Sequence, residues 1–403
     1  MDILIIGLGV IGTTYASVFK EAGHNVEHYI REGSNKEYIS NIEVTLLDGR
    51  ESSKGIQVKK EYTVNPHSKK EYDMIFVSIS QGKIANVMEI LRKEAFKGTI
   101  LLCCNLWYDK QYLDKIMQGY DYILGFPVAG GCIKIKKEEL ATKAELDCCL
   151  FDHFMIESKN KTTISNYEAI SNLFKSSNIK LEKPYDMLEW IWIHMAINAA
   201  VISVIGKNGD INDSIASVHK LMNSLKLLAT TIKTIRETTK IAASRGINMK
   251  HYRNELWVYK LPAQLSAIFM KRMFATNNLT RRIMELHGNI DDLLYICNSV
   301  YKEGKIKYLF CTSTLLEGVN LPAKNIFILS EKIGNGNMNN IDFWNLAGRA
   351  GRLNKDISGN IFCVNLYNQK GYWKDLDNID LLRNKKITEV EPQIISKKNG
   401  NLY

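Results

Sequence analysis

Three glycines near the start of the chain have the spacing of a dinucleotide-binding turn. Gly7-Leu8-Gly9-Val10-Ile11-Gly12 follows directly on the apolar run Ile3-Leu4-Ile5-Ile6. In such a turn the first glycine makes the sharp bend and the second lets backbone approach a pyrophosphate. The third lets the next helix pack closely on its strand. Leu8, Val10 and Ile11 supply the intervening backbone, and the helix N-terminus offers free N–H groups to the phosphates. A glycine-rich turn also occurs as plain structural punctuation. The context supports the chemical reading, because a second apolar stretch, Asn25 to Ile30, follows at the spacing of the next strand of a βαβ unit.

The loop after that strand begins Arg31-Glu32-Gly33-Ser34-Asn35-Lys36. An acidic residue ending the strand would hold a ribose 2′-hydroxyl, whereas an arginine accommodates a 2′-phosphate. Arg31, with Ser34 and Lys36 behind it, points to NADP(H) over NAD; a solvated loop arginine would look the same. Ser80-Gln81 and Asn105 close two further apolar runs, at the carboxyl ends where an open α/β sheet places its ligands.

The elements that must carry these residues follow from periodicity. Ile3 to Ile6 is dense enough for a strand buried on both faces, and Thr13 to Ala22 is helical up to Gly23. Residues 40–70 suggest short antiparallel strands or an insertion. Tyr72 to Ile79 and Thr99 to Cys104 are strands around a helix from Lys83 to Lys93, and Gly125 to Gly131 is a Gly/Pro-rich turn. The alternation predicts a doubly wound parallel sheet of Rossmann type over residues 1–165. From Asn166 the period turns helical, through Tyr167 to Ser176, Met187 to Ile205, Asp213 to Arg245 and Leu265 to Cys297, giving an all-helical domain over residues 166–300.

With 403 residues and 45% apolar content the chain can form two or three domains. Its net charge of +10 is diffuse over the first three quarters, as on solvated helix faces, and about half of the excess falls in the last quarter. An anionic partner or a solvated basic tail would both fit. The sequence shows no charged leader with a cleavage site, and no uninterrupted apolar run of membrane-spanning length; Trp190 to Ile205 comes nearest. The eight cysteines include the pairs Cys103-Cys104 and Cys148-Cys149 and read as buried hydrophobes in a reducing, cytoplasmic compartment. No Cys-x-x-Cys or clustered histidine supports a metal site.

Taken together, Gly7-x-Gly9-x-x-Gly12, Arg31, the strand leading to Asn105 and the helical stretch Trp192-Ile193-His194-Met195-Ala196-Ile197-Asn198 resemble the ketopantoate reductase family over residues 1–295. The resemblance implies an NADPH-bound Rossmann domain facing a helical domain, a 2-oxo acid reduced between them, and frequent dimerisation. The family's catalytic lysine falls where this chain has His194, which can also act as a general acid with an ordinary pKa of about 6.5. A second substrate asparagine is replaced by Ile202, and a lysine near the cofactor by Ser80, so the substrate is expected to differ from ketopantoate. By this resemblance His194 donates a proton, Asn198, four residues on and on the same helix face, orients substrate, and Asn105 lies near the nicotinamide ribose. Glu285 loosely matches the late substrate-binding glutamate. A histidine at 194 also fits plain packing, with Trp190 and Trp192 as anchors.

The character changes near residue 300. Lys307 to Pro322 reads as a strand ending in a hydroxyl-rich turn, Asn325 to Leu329 as a strand, Asp342 to Ala350 as a helix, and Gly359 to Val364 as a third strand. This segment resembles motifs five and six of superfamily-two helicases, in the second RecA-like lobe. The resemblance implies nucleic-acid backbone contacts from Thr312 to Glu317 and Gly318, and ATP-phosphate contacts from Arg349 and Arg352. A P-loop and an acidic magnesium box are absent from the sequence, so ATP hydrolysis is not expected from this partial α/β fragment over residues 301–403. Its expected nucleic-acid binding is weak and salt-dependent. The leading expectation is an NADP-dependent reductase. The alternatives are a non-catalytic NADP(H)-binding protein and a nucleic-acid-associated module.

Overall fold

The computed structural model describes residues 1–137, 142–209, 213–286, 325–328, 332–333, 336–337, 343 and 360–363. The chain divides into two compact units, Met1–Cys297 and Asn298–Tyr403.

The first unit is built on β1 (Asp2–Ile6), whose Ile3, Leu4 and Ile5 are completely buried. A strand apolar on both faces needs cover on both, and parallel βαβ winding supplies it. The chain leaves β1 through α1 (Val10–Glu21) and returns as β2 (Asn25–Tyr29), parallel to β1. A hairpin follows, β3 (Asn41–Asp48) and β4 (Ile56–Thr63), paired antiparallel as the sequence suggests for residues 40–70. Winding resumes with β5 (Glu71–Val77), α2 (Ile84–Lys93), β6 (Lys97–Leu102), α3 (Lys110–Met117) and β7 (Tyr122–Lys137). Strands β2-β1-β5-β6-β7 form a parallel sheet.

Beyond these parallel strands, the sheet continues in mixed orientation. β7 runs on for 16 residues and pairs antiparallel with β8 (Thr142–Ile156). β8 in turn takes β3 and β9 (Lys180–Glu182) in parallel. Gly125 to Gly131, expected as a turn, therefore lies inside β7. These glycines answer to close approach. A Cβ on Gly125 would stand 2.7 Å from the Phe154 ring, and one on Gly131 would stand 2.6 Å from the Asp147 carbonyl oxygen and 2.8 Å from Val10. Pro127 sits at the register shift of the β7–β8 ladder, where a missing N–H costs no ladder bond.

The core between sheet and helices is aromatic. Tyr15 stacks on Phe76 at 5.6 Å between ring centroids, and Phe154 meets Phe174 at 4.5 Å. Phe174 belongs to α4 (Tyr167–Ser176), so this helix, grouped by its period with the helical half, packs in the core of the sheet.

The remaining helices of this unit are α5 (Met187–Asn208), α6 (Ser214–Asn223), α7 (Leu225–Ala243), α8 (Arg253–Lys260), α9 (Ala263–Thr276) and α10 (Asn278–Leu286). The long helix expected from Asp213 to Arg245 is broken at Ser224, whose extended backbone (φ −100°, ψ 107°) and side chain cap α7 by accepting from the Leu227 N–H. The helix expected from Leu265 breaks in the same way at Asn277, which accepts from the Thr280 N–H at 2.9 Å. α5 is long and apolar enough to cross a membrane by length and composition, and 56% of its most apolar window is buried within the protein.

In the second unit β10 (Asn325–Ile328) pairs in parallel with β13 (Asn360–Cys363), and β11 (Lys332–Ile333) pairs antiparallel with β12 (Gly336–Asn337). Two of the expected strands are thus present, with Phe327 and Phe362 stacked at 4.7 Å. Thr312, Glu317, Gly318, Arg349 and Arg352 lie outside the described residues.

Candidate dinucleotide site and cleft face

The three glycines of the first turn differ in what surrounds them. Gly7 has φ +81°, a left-handed conformation that a side chain resists, and its N–H donates to the Tyr29 carbonyl at 2.8 Å. A Cβ on Gly12 would lie 2.8 Å from Ile5 Cγ2, so this glycine lets α1 sit down on β1. A Cβ on Gly9 would meet only the Ser78 carbonyl oxygen, at 4.0 Å, an ordinary contact, so packing within the chain does not demand a glycine there. Gly9 is also the N-cap of α1, with no side chain bonded to the helix end and no acidic residue in the first turn. The N-terminal N–H groups at Val10, Ile11 and Gly12 therefore meet no carboxylate of their own helix.

Two side chains that the glycine spacing does not identify hold this turn. His28 Nδ1–H donates to the Gly7 carbonyl at 2.9 Å, and His28 Nε2 is 2.7 Å from the Tyr62 hydroxyl. His28 is wholly buried, and burial lowers its pKa to about 4, so the ring is neutral at pH 7. Lys36 Nζ donates to the Leu8 carbonyl at 2.7 Å, and burial lowers its pKa as well. Lys36 was legible only as a cation behind Arg31, and His28 only as one position of an apolar strand.

Because β1, β2, β5 and β6 run parallel, the residues just past their carboxyl ends share one edge of the sheet. That edge collects the glycine turn after β1, Arg31 after β2, Ser80 after β5 and Asn105 after β6. Arg31 is exposed, in a turn closed by Ser34 N–H donating to its carbonyl at 3.1 Å. Ser80 and Asn105 are half-buried. Next to Ser80, buried Gln81 accepts from the Trp107 N–H at 2.6 Å, tying together the loops after β5 and β6.

α5 meets this edge. Trp190, His194, Asn198 and Ile202 repeat every four residues and are half-buried, whereas Ile191, Trp192, Met195, Ala196, Ala199 and Ala200 are buried. His194 stacks on Trp190 (5.0 Å, 13°) and meets the edge of Phe126 at 4.5 Å. Phe126 stands on β7 two residues past Leu124, the partner of Leu102 at the carboxyl end of β6. On another face of α5, Trp192 and Trp107 flank the Arg245 guanidinium, 4.0 and 4.8 Å from their ring centroids. This sandwich pins the loop after Asn105 to α5 and has no signal in residue spacing. Glu285, on α10, takes part in other contacts. One carboxylate oxygen is 3.0 Å from His219 Nε2 on α6 and the other accepts from Arg282 at 3.2 Å, while Arg282 also binds Asp147 on β8.

The fold is similar to that of a solved D-mandelate dehydrogenase. A ternary structure of D-mandelate dehydrogenase with NADH and anilino(oxo)acetate covers 76% of this chain and 92% of that chain, at 12% identity and a TM-score of 0.50. A PanE/ApbA family ketopantoate reductase from Ralstonia eutropha JMP134 covers 75% of this chain and 93% of its own, at 14% identity and a TM-score of 0.47. Among curated proteins the likenesses are short. A stretch of 64 residues is 41% identical to anti-bacteriophage protein B of Escherichia coli (strain K12), over 16% of this chain and 9% of that protein. Another match of 64 residues is 42% identical to DNA polymerase theta of Drosophila melanogaster, over 16% of this chain and 3% of that protein. An uncharacterized helicase of Dictyostelium discoideum is 38% identical over 93 residues, 23% of this chain and 5% of that protein. The chain thus spans less than a tenth of each of these curated relatives, and the helicase name of the Dictyostelium match supports in part the helicase resemblance. Residues 3–137, which hold the glycine turn, β2 and the carboxyl ends of β5 and β6, are the stretch over which this chain matches the family model described as ketopantoate reductase PanE/ApbA.

Proposed function

We propose that this protein is an NADP(H)-dependent oxidoreductase that reduces a small 2-oxo acid, or a related carbonyl compound other than ketopantoate, to the alcohol. The observation that carries the reading is the set of three glycines: Gly7 held at φ +81°, Gly12 packed against Ile5, and between them Gly9, where a Cβ would meet only the Ser78 carbonyl oxygen at 4.0 Å, an ordinary contact. A structural turn needs the bend and the packing; it does not need a further glycine at a position where a side chain would have room. That cradle, with the uncapped N-terminus of α1 beside it, fits a dinucleotide diphosphate. The match of residues 3–137 to the ketopantoate reductase model supports the same reading.

When bound, the nicotinamide supplies the hydride. The chain's own residues do the rest. Arg31, exposed beyond β2, pairs with a 2′-phosphate and gives the preference for NADP(H). Asn105 and Ser80 line the same edge, with Asn105 toward the nicotinamide ribose. His194, held between Trp190 and Phe126, gives its proton to the carbonyl oxygen as charge develops there, and Asn198 orients the substrate one turn on. The flanking rings exclude water from the reacting face. Glu285, engaged with Arg282 and His219, is assigned no step. The free thiols of Cys103, Cys104, Cys132, Cys148 and Cys149 accord with a cytoplasmic setting, and we take the homodimer as the working assembly. For the domains we adopt 1–165, 166–300 and 301–403, with α4 and β9 at the start of the second packing on the sheet of the first.

Titrating the purified protein with NADPH and NADH while following cofactor fluorescence tests the reading. Saturable binding, tighter for NADPH, and turnover of a 2-oxo acid that is lost in His194→Ala are expected. Absence of binding at millimolar cofactor refutes it. The ring packing around His194 favours one second reading, a protein that binds NADP(H) without turnover. Binding without turnover of any 2-oxo acid would select it.

A further inference from the structure

The glycine turn is held by side chains at two successive carbonyls. Gly7 C=O accepts from His28 Nδ1–H at 2.9 Å, and Leu8 C=O accepts from Lys36 Nζ at 2.7 Å. A carbonyl oxygen can only accept, so Nδ1 carries the hydrogen of the neutral ring. Nε2 must then accept from the Tyr62 hydroxyl, 2.7 Å away on β4. His28 itself cannot swing. Its residue pairs with Ile5 on β1, its N–H donates to the Asn65 carbonyl at 2.8 Å, and its carbonyl accepts from the His67 N–H at 2.9 Å.

In a trans peptide the C=O of one residue and the N–H of the next point in opposite directions, and no cis bond occurs among the described residues. Fixing the Gly7 carbonyl therefore fixes the Leu8 N–H, and fixing the Leu8 carbonyl fixes the Gly9 N–H. Both N–H groups are turned away from the side chains that hold their peptides. An ammonium half-buried against a backbone carbonyl costs desolvation, and orienting a peptide for a ligand is a function that compensates for it.

We propose that His28 and Lys36 are positioning residues for the dinucleotide's diphosphate, holding the Gly7–Leu8 and Leu8–Gly9 peptides so that their N–H groups extend the row of donors at the start of α1. This rests on the dinucleotide reading above. His28 works from the core and Lys36 from the loop. Tyr62 keeps the imidazole in the tautomer that donates to Gly7. Lys36 contributes its hydrogen bond to Leu8, and its charge lies on the side away from the Gly9 N–H.

The test measures dissociation constants for NADPH, NADH and 2′-AMP, which lacks a diphosphate, together with melting temperature without ligand. The proteins are wild type, Lys36→Met, Lys36→Gln, His28→Leu and His28→Asn. Lys36→Met should weaken NADPH and NADH by the same factor, about tenfold for one charge-assisted hydrogen bond, with 2′-AMP and the melting temperature unchanged. Lys36→Gln retains a donor and should recover most of the loss. His28→Asn, which keeps an amide N–H near the place of Nδ1, should bind more tightly than His28→Leu. Unchanged cofactor binding in Lys36→Met overturns the proposal. So does a loss confined to NADPH, which would make Lys36 a reader of the 2′-phosphate, or a parallel loss of 2′-AMP, which would mark general damage. Should the wild type bind neither cofactor, the dinucleotide reading itself fails and the clamp with it.

Discussion

His28 lies wholly buried on β2, so lowering the pH from 7 to 4 asks an imidazole without water contact to take up a second proton. Unfolded, a histidine titrates near 6.5; in this fold burial holds His28 at about 4. Between those values the unfolded chain binds a proton that the folded chain does not, so stability falls as pH falls. The contribution is fully present above about pH 6.5 and is exhausted once pH has dropped through the folded value. At 1.36 kcal/mol for each pH unit separating the two values, the loss from this one residue is about 3 kcal/mol. That is a large share of the roughly 5–15 kcal/mol by which domains are usually stable. Urea denaturation followed by tryptophan fluorescence, repeated from pH 7 to pH 4 on wild type and His28→Asn, isolates the effect. Groups common to both proteins cancel in the difference. The variant should be the less stable protein at pH 7, and the gap should close by about 3 kcal/mol at pH 4. Parallel pH profiles for the two proteins would refute the reasoning and mean that the His28 pocket admits water or a counter-charge.

Gly9→Ala and Gly12→Ala should separate binding from stability. A methyl on Gly9 meets only the Ser78 carbonyl oxygen, at an ordinary 4.0 Å, so the melting temperature should hold while cofactor affinity drops at least about tenfold, and unchanged affinity would remove the diphosphate from this turn. A methyl on Gly12 meets Ile5 Cγ2 at 2.8 Å and should cost about 1–3 kcal/mol in denaturation experiments; a neutral outcome would mean that α1 lifts freely from β1. Through residues 301–403 we expect at most weak retardation of single-stranded or duplex nucleic acid at low salt, disappearing as salt rises, and no retardation at low salt would dismiss the nucleic-acid reading.

Where local pattern and tertiary environment agree, the elements were legible beforehand. Tyr167–Ser176 carries an apolar stripe at helical spacing and is a helix with those bounds. Met187 opens α5 because Asp186 accepts from the Glu189 N–H, a cap that acts within one turn. The breaks at Ser224 and Asn277 are not visible in the sequence because serine and asparagine are tolerated on polar helix faces and reveal themselves as caps only when their side chains turn back to the chain. The sequence does not tell whether Gly125 and Gly131 mark a turn or a close approach, because glycine has two uses. It bends the chain, and it lets another element come close; only the positions of Phe154 and Val10 tell which applies here.

The candidate site divides along the same line. Gly7, Gly9, Gly12 and Arg31 sit in a turn and a loop whose chemistry depends on neighbours in sequence, so spacing was enough to nominate them. His194 and Asn198 could be paired in advance because a helix brings residues four apart onto one face. The tertiary structure decided what comes to that face. Phe126 reaches it from β7, whereas Arg245 is sandwiched by Trp107 and Trp192 on another face of α5 and Glu285 is engaged with His219 and Arg282. It also decided the role of His28, which in sequence is one polar residue in a strand and in the fold holds the first carbonyl of the glycine turn. The physical reason is range. Backbone conformation and helix faces are set by contacts within a few residues, whereas burial, hydrogen-bond partners and shifted protonation depend on groups brought together from positions such as 7, 28 and 62, which only the folded chain makes neighbours.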